Sequence, residues 1–385
     1  GQHYLRTHFN YQADTFWQPD TFGYSAAIPQ IMKGCELKYF LTTKLSWNET
    51  NQFPYDTFLW KGIDGTAVLT HFNLTHCWPD IEQITDSVRN QILHKDVSDH
   101  KLIAYGFGDG GGGPSYDMVE TAKLAKNLPG IPRSEFTTVS RFMQDLEQSA
   151  HNLPIYDGEL YLELHRGTLT QMHDIKRSNR KAEVALRTLE MADALINVQN
   201  GKPSCKPETD QLYETLLLNQ FHDILPGTSL QEVHELAIKE NHSVVEKADT
   251  LAEKIFTSFT QNDQSFTFFN PLSWEYTKQL VIDDNGLVPE HYPYQRYVDI
   301  SGQSKLVIGN VTIPPMAAVT VNMVPEQAMT CSSAFQVSDG KVTTPFAIVE
   351  TDKCGAITSM IDIRCHRQLV KDSSQPLNTL LCGED

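Results

Sequence analysis

The feature that most constrains the fold is a change of hydrophobic period along the chain. Up to about residue 148, short apolar runs alternate with helical patterns, and Lys38 to Thr42, Ala67 to Phe72 and Leu102 to Phe107 read as buried strands. The helical stretch Asp80 to His94 lies between two of them, which predicts βα units and a parallel sheet or barrel. From about Asp174 to Ile196 and from Asp210 to Phe259, apolar residues recur at helical spacing, so the middle of the chain reads as a helical bundle. Within it Leu212 to Asp223 predicts a helix, Pro226-Gly227 a turn, and Ser229-Leu230-Gln231-Glu232 a capping box that opens the next helix. Beyond about Gln264, runs such as Gln279 to Ile282, Lys305 to Val311 and Ala318 to Val324 are β-branched or alternating and are broken by Pro, Gly and Asp. The expected architecture is multidomain, α/β then α then β. Part of a (β/α) barrel-like domain spans 1–158, a helical-bundle domain 159–262, and the start of a β-sandwich 263–385.

Charge and composition exclude several function classes. Asp and Glu outnumber Lys and Arg by 48 to 31, and a net charge of −17 repels a phosphate backbone, so no nucleic-acid partner is expected. No apolar stretch approaches the roughly 18 to 20 residues that span a bilayer, so no membrane partner is expected either. The 7 cysteines, Cys35, Cys77, Cys205, Cys331, Cys354, Cys365 and Cys382, are scattered and lack a Cys-x-x-Cys pair, which suits a reducing compartment. Asn-x-Ser/Thr sequons at Asn48, Asn73, Asn241 and Asn310 point the other way. The expectation is a cytoplasmic or vacuolar/lysosomal protein. The chain opens on Gly1 and stops at Leu381-Cys382-Gly383-Glu384-Asp385, which reads as an internal segment of something longer.

Four segments carry residues suited to chemistry. Phe16-Trp17-Gln18-Pro19-Asp20-Thr21-Phe22-Gly23-Tyr24 sets a carboxylate among aromatics, as where a sugar ring stacks beside an acid, although Pro-Asp also makes ordinary turns. Leu102 to Pro114 is a strand running into a glycine run, which places Asp109 at a strand's carboxyl end, where α/β barrels keep catalytic groups. The same run contains Gly-x-Gly-x-x-Gly at Gly106, Gly108 and Gly111, so an NAD-type dinucleotide turn of an oxidoreductase stays open, as does a plain structural loop.

Glu159-Leu160-Tyr161-Leu162-Glu163-Leu164-His165 alternates polar and apolar residues. As a strand it would set Glu159, Tyr161, Glu163 and His165 on one face, rich in groups for hydroxylated ligands, or simply half exposed. Asn219 to Ser229 puts His222-Asp223 at an interhelical corner, where imidazole can ligate a metal with a carboxylate holding its tautomer, or merely sit near a helix dipole.

Taken in order, these segments resemble glycoside hydrolase family 38, the class II α-mannosidases, in its cytosolic or vacuolar branch. The similarity is close in Trp17 to Gln30, Leu41 to Pro54, Tyr105 to Pro114, Glu159 to Gln171 and Leu216 to Ser229, within roughly residues 1 to 260. The resemblance implies a catalytic α/β barrel, a helical middle domain, a β-rich C-terminal region, and retaining hydrolysis of terminal α-D-mannose from oligosaccharides. It makes Asp20 both nucleophile and metal ligand and His222 a further ligand, with Zn²⁺ as the metal and Co²⁺ as the alternative. Asp109 takes the acid's place; in other branches the acid would fall on Gly110, and Glu163 is the reserve. Phe22 would stack on the sugar, and Lys44, Trp47, Glu163 and His165 would line the pocket. A homo-oligomer is implied for the intact protein. The family's remaining ligands come from a His-x-Asp motif early in the catalytic domain, which this sequence does not carry ahead of Asp20. The expectation is therefore a segment that, alone, is catalytically incomplete or only a sugar-binding module.

Overall fold

The computed structural model describes residues 1–109, 111–200, 205–258, 264–326, 334–371 and 375–379. The chain divides into two units, Gly1–Phe259 and Thr260–Asp385. The expected boundary between 262 and 263 falls outside the described residues.

The first unit opens with α1 (Gln2–Phe9), β1 (Thr15–Gln18), α2 (Ile28–Gly34) and β2 (Tyr39–Thr42). Next come β3 (Thr57–Lys61), β4 (Ala67–Phe72), β5 (Leu74–Cys77), α3 (Ile81–Arg89), β6 (Ile103–Tyr105), α4 (Tyr116–Ala125), α5 (Val139–Ser149) and β7 (Ile155–Asp157). The helices start where the sequence supplies caps: the side chains of Asp80, Ser115 and Thr138 accept from the amides of Gln83, Met118 and Arg141. All four residues of β2 are buried, because helices and loops cover both faces of its sheet. Phe40, Phe58, Trp60, Phe72 and Leu160 fill the core on one side, and Leu41, Met143 and Leu146 that on the other.

The main sheet has the order β1-β2-β4-β3-β7. β1, β2 and β4 are parallel and in register, Gln18 beside Thr42 and Thr42 beside Phe72, so their carboxyl ends share one edge. β3 runs antiparallel to β4 and parallel to β7. Among the described residues these strands form an open mixed sheet, not a closed barrel. Its turn between β3 and β4 closes as a tight hairpin held by Asp64 and Thr66, which reverses the strand direction that a βα repeat would keep. The run expected as a third parallel strand, β6, pairs only with β5 in a separate two-stranded sheet.

Three helices complete the unit: α6 (His173–Asn200), α7 (Lys206–Asn219) and α8 (Gln231–Thr257). Leu186, Leu189, Leu212, Leu216, Val244, Ala248 and Ile255 form their shared core. Two local expectations are corrected. The helix expected to reach Asp223 ends at Asn219, since Pro226 disfavours helical backbone before it and 221–227 fold into successive turns. The capping box does not form: Leu230 holds the cap position without a side-chain bond, and Ser229 Oγ is buried without a hydrogen-bond partner.

Glu159–His165 is likewise not a strand. Only Leu160 pairs, in a single bridge to Tyr24, and the chain then turns through His165 (φ 53°) into a 3₁₀ turn over Arg166–Leu169. The alternation reflects Leu160 and Leu162 entering the core, while the backbone around Glu163 bonds to the Asn48–Glu49 loop in place of a neighbouring strand.

The second unit contains β8 (Ser265–Phe269), β9 (Tyr276–Asp283), β10 (Leu287–Pro289), β11 (Tyr294–Val298), β12 (Ser304–Ile313) and β13 (Ala318–Pro325). Two three-stranded sheets, β10-β13-β8 and β11-β12-β9, share one core built from Leu306, Ile308, Val311, Ile313, Val321 and Met323. β14 (Gln336–Ser338), β15 (Lys341–Thr343), β16 (Ala347–Thr351), β17 (Ile357–Asp362) and β18 (Arg367–Gln368) form an antiparallel meander.

Candidate active site

The shared carboxyl edge of β1, β2 and β4 delivers Asp20, Lys44 and Asn73 together. Lys44 follows β2 in a 3₁₀ turn and is buried, its ammonium over the Trp47 ring at 3.5 Å from the centroid. Its Nζ lies 2.7 Å from Asp20 Oδ1, yet off the direction of a hydrogen bond, so that Oδ1 is a buried oxygen without a hydrogen-bond partner. Tyr24 braces this edge: its hydroxyl donates to the Gln18 carbonyl at 2.7 Å and accepts from Thr42 at 2.7 Å. Burial pushes the Tyr24 phenol up to about 12, so it stays neutral and serves as a strut.

The helical corner after α7 brings the second group. His222 Nε2 lies 3.7 Å from Asp20 Oδ2 and 3.9 Å from Asp223 Oδ2. Its ring stacks on Phe221, with centroids 3.9 Å apart, and Thr228 Oγ1 donates to Asp223 at 2.7 Å. The corner is held from outside. Lys176 donates to the carbonyls of Gln171, Leu225 and Pro226, and Gln171 donates to those of Pro226 and Gly227. Gly227 sits at φ +85°, where a Cβ would lie 2.9 Å from the Met172 side chain, so only glycine fits the turn.

The Asp20 carboxylate, whose Oδ2 faces the His222 imidazole, and that imidazole are an oxygen and a nitrogen donor of the kinds that Zn²⁺ accepts. Asp20 and His222 therefore suit a metal. Among the described residues no group of three or more His, Cys, Asp or Glu side chains converges for one, so the pair supplies part of a coordination shell. Next to it opens a cleft of about 590 Å³, lined by Gln18, Phe22, Lys176, Gln220, His222 and others.

The other candidates fall in different places. Phe22 lines the cleft and meets the exposed His165 edge-on at 5.1 Å. Glu163 does not face the cleft: it accepts from the Thr50 and Asn51 amides and the Asn51 side chain, with Arg166 at 3.8 Å. The Asn51 amide first, then its side chain and Thr50, hold the Glu163 carboxyl below its ordinary value, so it is kept ionised and suited to clamp a loop rather than give a proton. Asp109 is 94% exposed, and His76 lies beside it, Nε2 to Oδ1 at 3.9 Å. Gly110, the alternative acid position, lies outside the described residues. The glycine run does not make a dinucleotide turn. Gly106–Ser115 intervenes between β6 and α4 and closes on itself through bonds from Gly111 to Gly108, Gly112 to Phe107 and Phe107 to Gly113.

With this geometry in place, the comparisons with known proteins are direct. Residues 1–159 match the model of the glycosyl hydrolases family 38 N-terminal domain, and 163–259 that of the alpha mannosidase middle domain. The chain belongs to glycosyl hydrolase family 38. Alpha-mannosidase 2C1 of Homo sapiens is 31% identical over 392 residues, covering 97% of this chain and 36% of the relative. Alpha-mannosidase G of Dictyostelium discoideum is 30% identical over 429 residues, covering 100% and 39%. The alpha-mannosidase of Saccharomyces cerevisiae is 36% identical over 268 residues, covering 66% and 25%. The chain thus spans 36–39% of the length of the first two. The crystal structure of an alpha-mannosidase from Enterococcus faecalis superposes with a TM-score of 0.73 at 14% identity, covering 95% of this chain and 49% of that one, so the fold is shared.

Two further features of this family 38 chain bear on its chemistry and setting. Reasoning from sequence read Asn73, whose Oδ1 accepts from Thr43 at 3.4 Å, only as a sequon, and passed over His76, which stands in no recognisable motif. Of the sequons, Asn73 and Asn241 are buried, Asn241 tied to Ser178 and Asn219, so a glycan at either would not fit the fold. Cys35, Cys77, Cys354 and Cys365 are free thiols, while Cys331 and Cys382 lie outside the described residues. Among the described residues no helix is long and apolar enough to cross a membrane.

Proposed function

We propose that this chain carries part of the catalytic centre of a retaining α-mannosidase, with Asp20 as nucleophile and Asp109 as acid and base. The observation that carries this reading is the meeting of Asp20 with His222 at 3.7 Å, from segments some two hundred residues apart, beside the Lys44 ammonium and a sugar-sized cleft.

In the first step an Asp20 carboxylate oxygen bonds to the anomeric carbon of a terminal α-mannose. The bond to the leaving oxygen breaks with its electron pair, and that oxygen takes the proton of the Asp109 carboxyl, releasing an alcohol. In the second step water adds to the same carbon, Asp109 accepts its proton, and the electron pair of the ester bond returns to Asp20. Lys44 pairs with Asp20, and Phe22 offers an apolar face to the sugar. A zinc ion held by Asp20 and His222, with Co²⁺ as the alternative, would polarise bound sugar hydroxyls as a Lewis acid. The substrates are mannose-containing oligosaccharides. The burial of the sequon asparagines Asn73 and Asn241 supports a setting without N-glycans at those positions, cytoplasmic or vacuolar.

The test is Asp20→Ala in the full-length protein. The expected result is an intact fold by circular dichroism and hydrolysis of an aryl α-mannoside slowed at least about a thousandfold, the scale of losing a nucleophile. Turnover near that of the wild type would overturn the reading.

A further inference from the structure

We infer that His76 is a positioning residue for Asp109, holding the exposed acid in place; this rests on the assignment of Asp109 as the acid. His76 lies in β5, where the pairing with β6 slips between Leu74 and Cys77, and it adopts φ 59°, a conformation that a residue with a side chain rarely takes. The slip sets the ring against the glycine run instead of above or below the two-stranded sheet. Gly108 receives it: a Cβ at that position would lie 2.4 Å from His76 Nδ1 and 2.7 Å from Cε1. Glycine at 108 is therefore the condition for the imidazole to reach past the backbone to the next residue. It does so, with Nε2 3.9 Å from Asp109 Oδ1, inside ion-pair range and beyond a hydrogen bond. The loop that carries Asp109 also meets Trp78, edge-on to Phe107 at 6.4 Å.

An exposed carboxylate without a partner samples several rotamers, and a general acid acts only from one that reaches the leaving oxygen. An imidazole beside one oxygen selects among those rotamers and stabilises the carboxylate formed when the proton has passed to the leaving group. The proton itself travels only from Asp109 to the leaving oxygen and, in the second step, from water to Asp109.

This role predicts a selective defect. A leaving group that departs as a stable anion needs little protonation, whereas an alkyl or sugar alcohol needs the acid. The experiment measures kcat/KM of the full-length protein on 2,4-dinitrophenyl α-mannoside and on methyl α-mannoside for wild type, His76→Ala, His76→Gln and Asp109→Asn. His76→Ala should lose on the order of tenfold more on the methyl glycoside than on the activated one, a fraction of the 10²–10⁴-fold that general acid catalysis supplies. His76→Gln, which keeps a donor at the same reach, should recover part of that difference. Gly108→Ala, which displaces the ring without removing it, should reproduce the selectivity of His76→Ala. Equal losses on both substrates, or none, for a folded His76→Ala while Asp109→Asn stays selective would overturn the role of His76 and leave Asp109 as the acid. An Asp109→Asn variant without leaving-group selectivity would overturn the acid assignment and the role of His76 with it.

Discussion

The two loops that carry the proposed catalytic groups are built in opposite ways. The corner after α7, which bears His222, is gripped by other elements: Lys176 and Gln171 bind its carbonyls, and Gly227 is pressed onto Met172. The glycine run after β6, which bears Asp109, is held mostly by its own backbone bonds and met from β5 and the residue after it by the Cys77 carbonyl, the His76 ring and Trp78. The comparison teaches how a site assigns rigidity. A group that shares a cation or an ion pair with Asp20 must stay within a few tenths of an ångström, because electrostatic attraction and coordination fall steeply with misplacement. A group that alternates between giving and taking a proton works at the solvent edge.

Substitutions at each loop can break this contrast. The largest effect is expected at Gly227→Ala, which meets both a positive φ and the Met172 side chain at 2.9 Å, and should cost about 1–3 kcal/mol in thermal or urea unfolding. Activity should fall with it, since the corner positions His222. A smaller effect is expected at Glu163→Gln, which leaves the Asn48–Asn51 loop next to Trp47 but removes the charge that its amides bind. The sign with pH is fixed by the lowered carboxyl. Wild-type Glu163 stabilises the fold fully above the unfolded value of about 4.3, and this advantage is lost as pH falls through the lower folded value, so the melting temperatures of the two proteins should differ at pH 7 and converge as the carboxyl protonates in the folded state. The smallest effect is expected at Gly113→Ala, where a Cβ meets nothing within 4 Å; unfolding should shift by less than about 0.5 kcal/mol. A loss at Gly113 as large as that at Gly227 would dissolve the distinction between a gripped loop and a self-closed one.

How much of this could be read beforehand depends on the range of the interactions. Local signals sufficed for β4, whose bounds Ala67–Phe72 follow the apolar run, and for the start of α3 just after Asp80. They misled at Glu159–His165, because alternation records which side chains are buried, and a strand needs a neighbour that this segment lacks. Ser229 failed as a cap because the helix starts one residue later, with Leu230 in the cap position. The meeting of Asp20 and His222 has no local signal; it was legible only through the family resemblance. His76 had none at all, since its place is defined by a β-bulge and by the missing Cβ of Gly108, both properties of the folded chain.

The central claim is that Asp20 attacks the anomeric carbon, and covalent trapping tests it most directly. The full-length protein is treated with a fluorinated mannosyl fluoride that forms the glycosyl-enzyme faster than water releases it, then digested and sequenced by mass spectrometry. The account predicts a fluoromannosyl ester on Asp20, in the peptide containing Trp17-Gln18-Pro19-Asp20. A label on another carboxylate, or turnover with inversion at the anomeric carbon and no label, would contradict it.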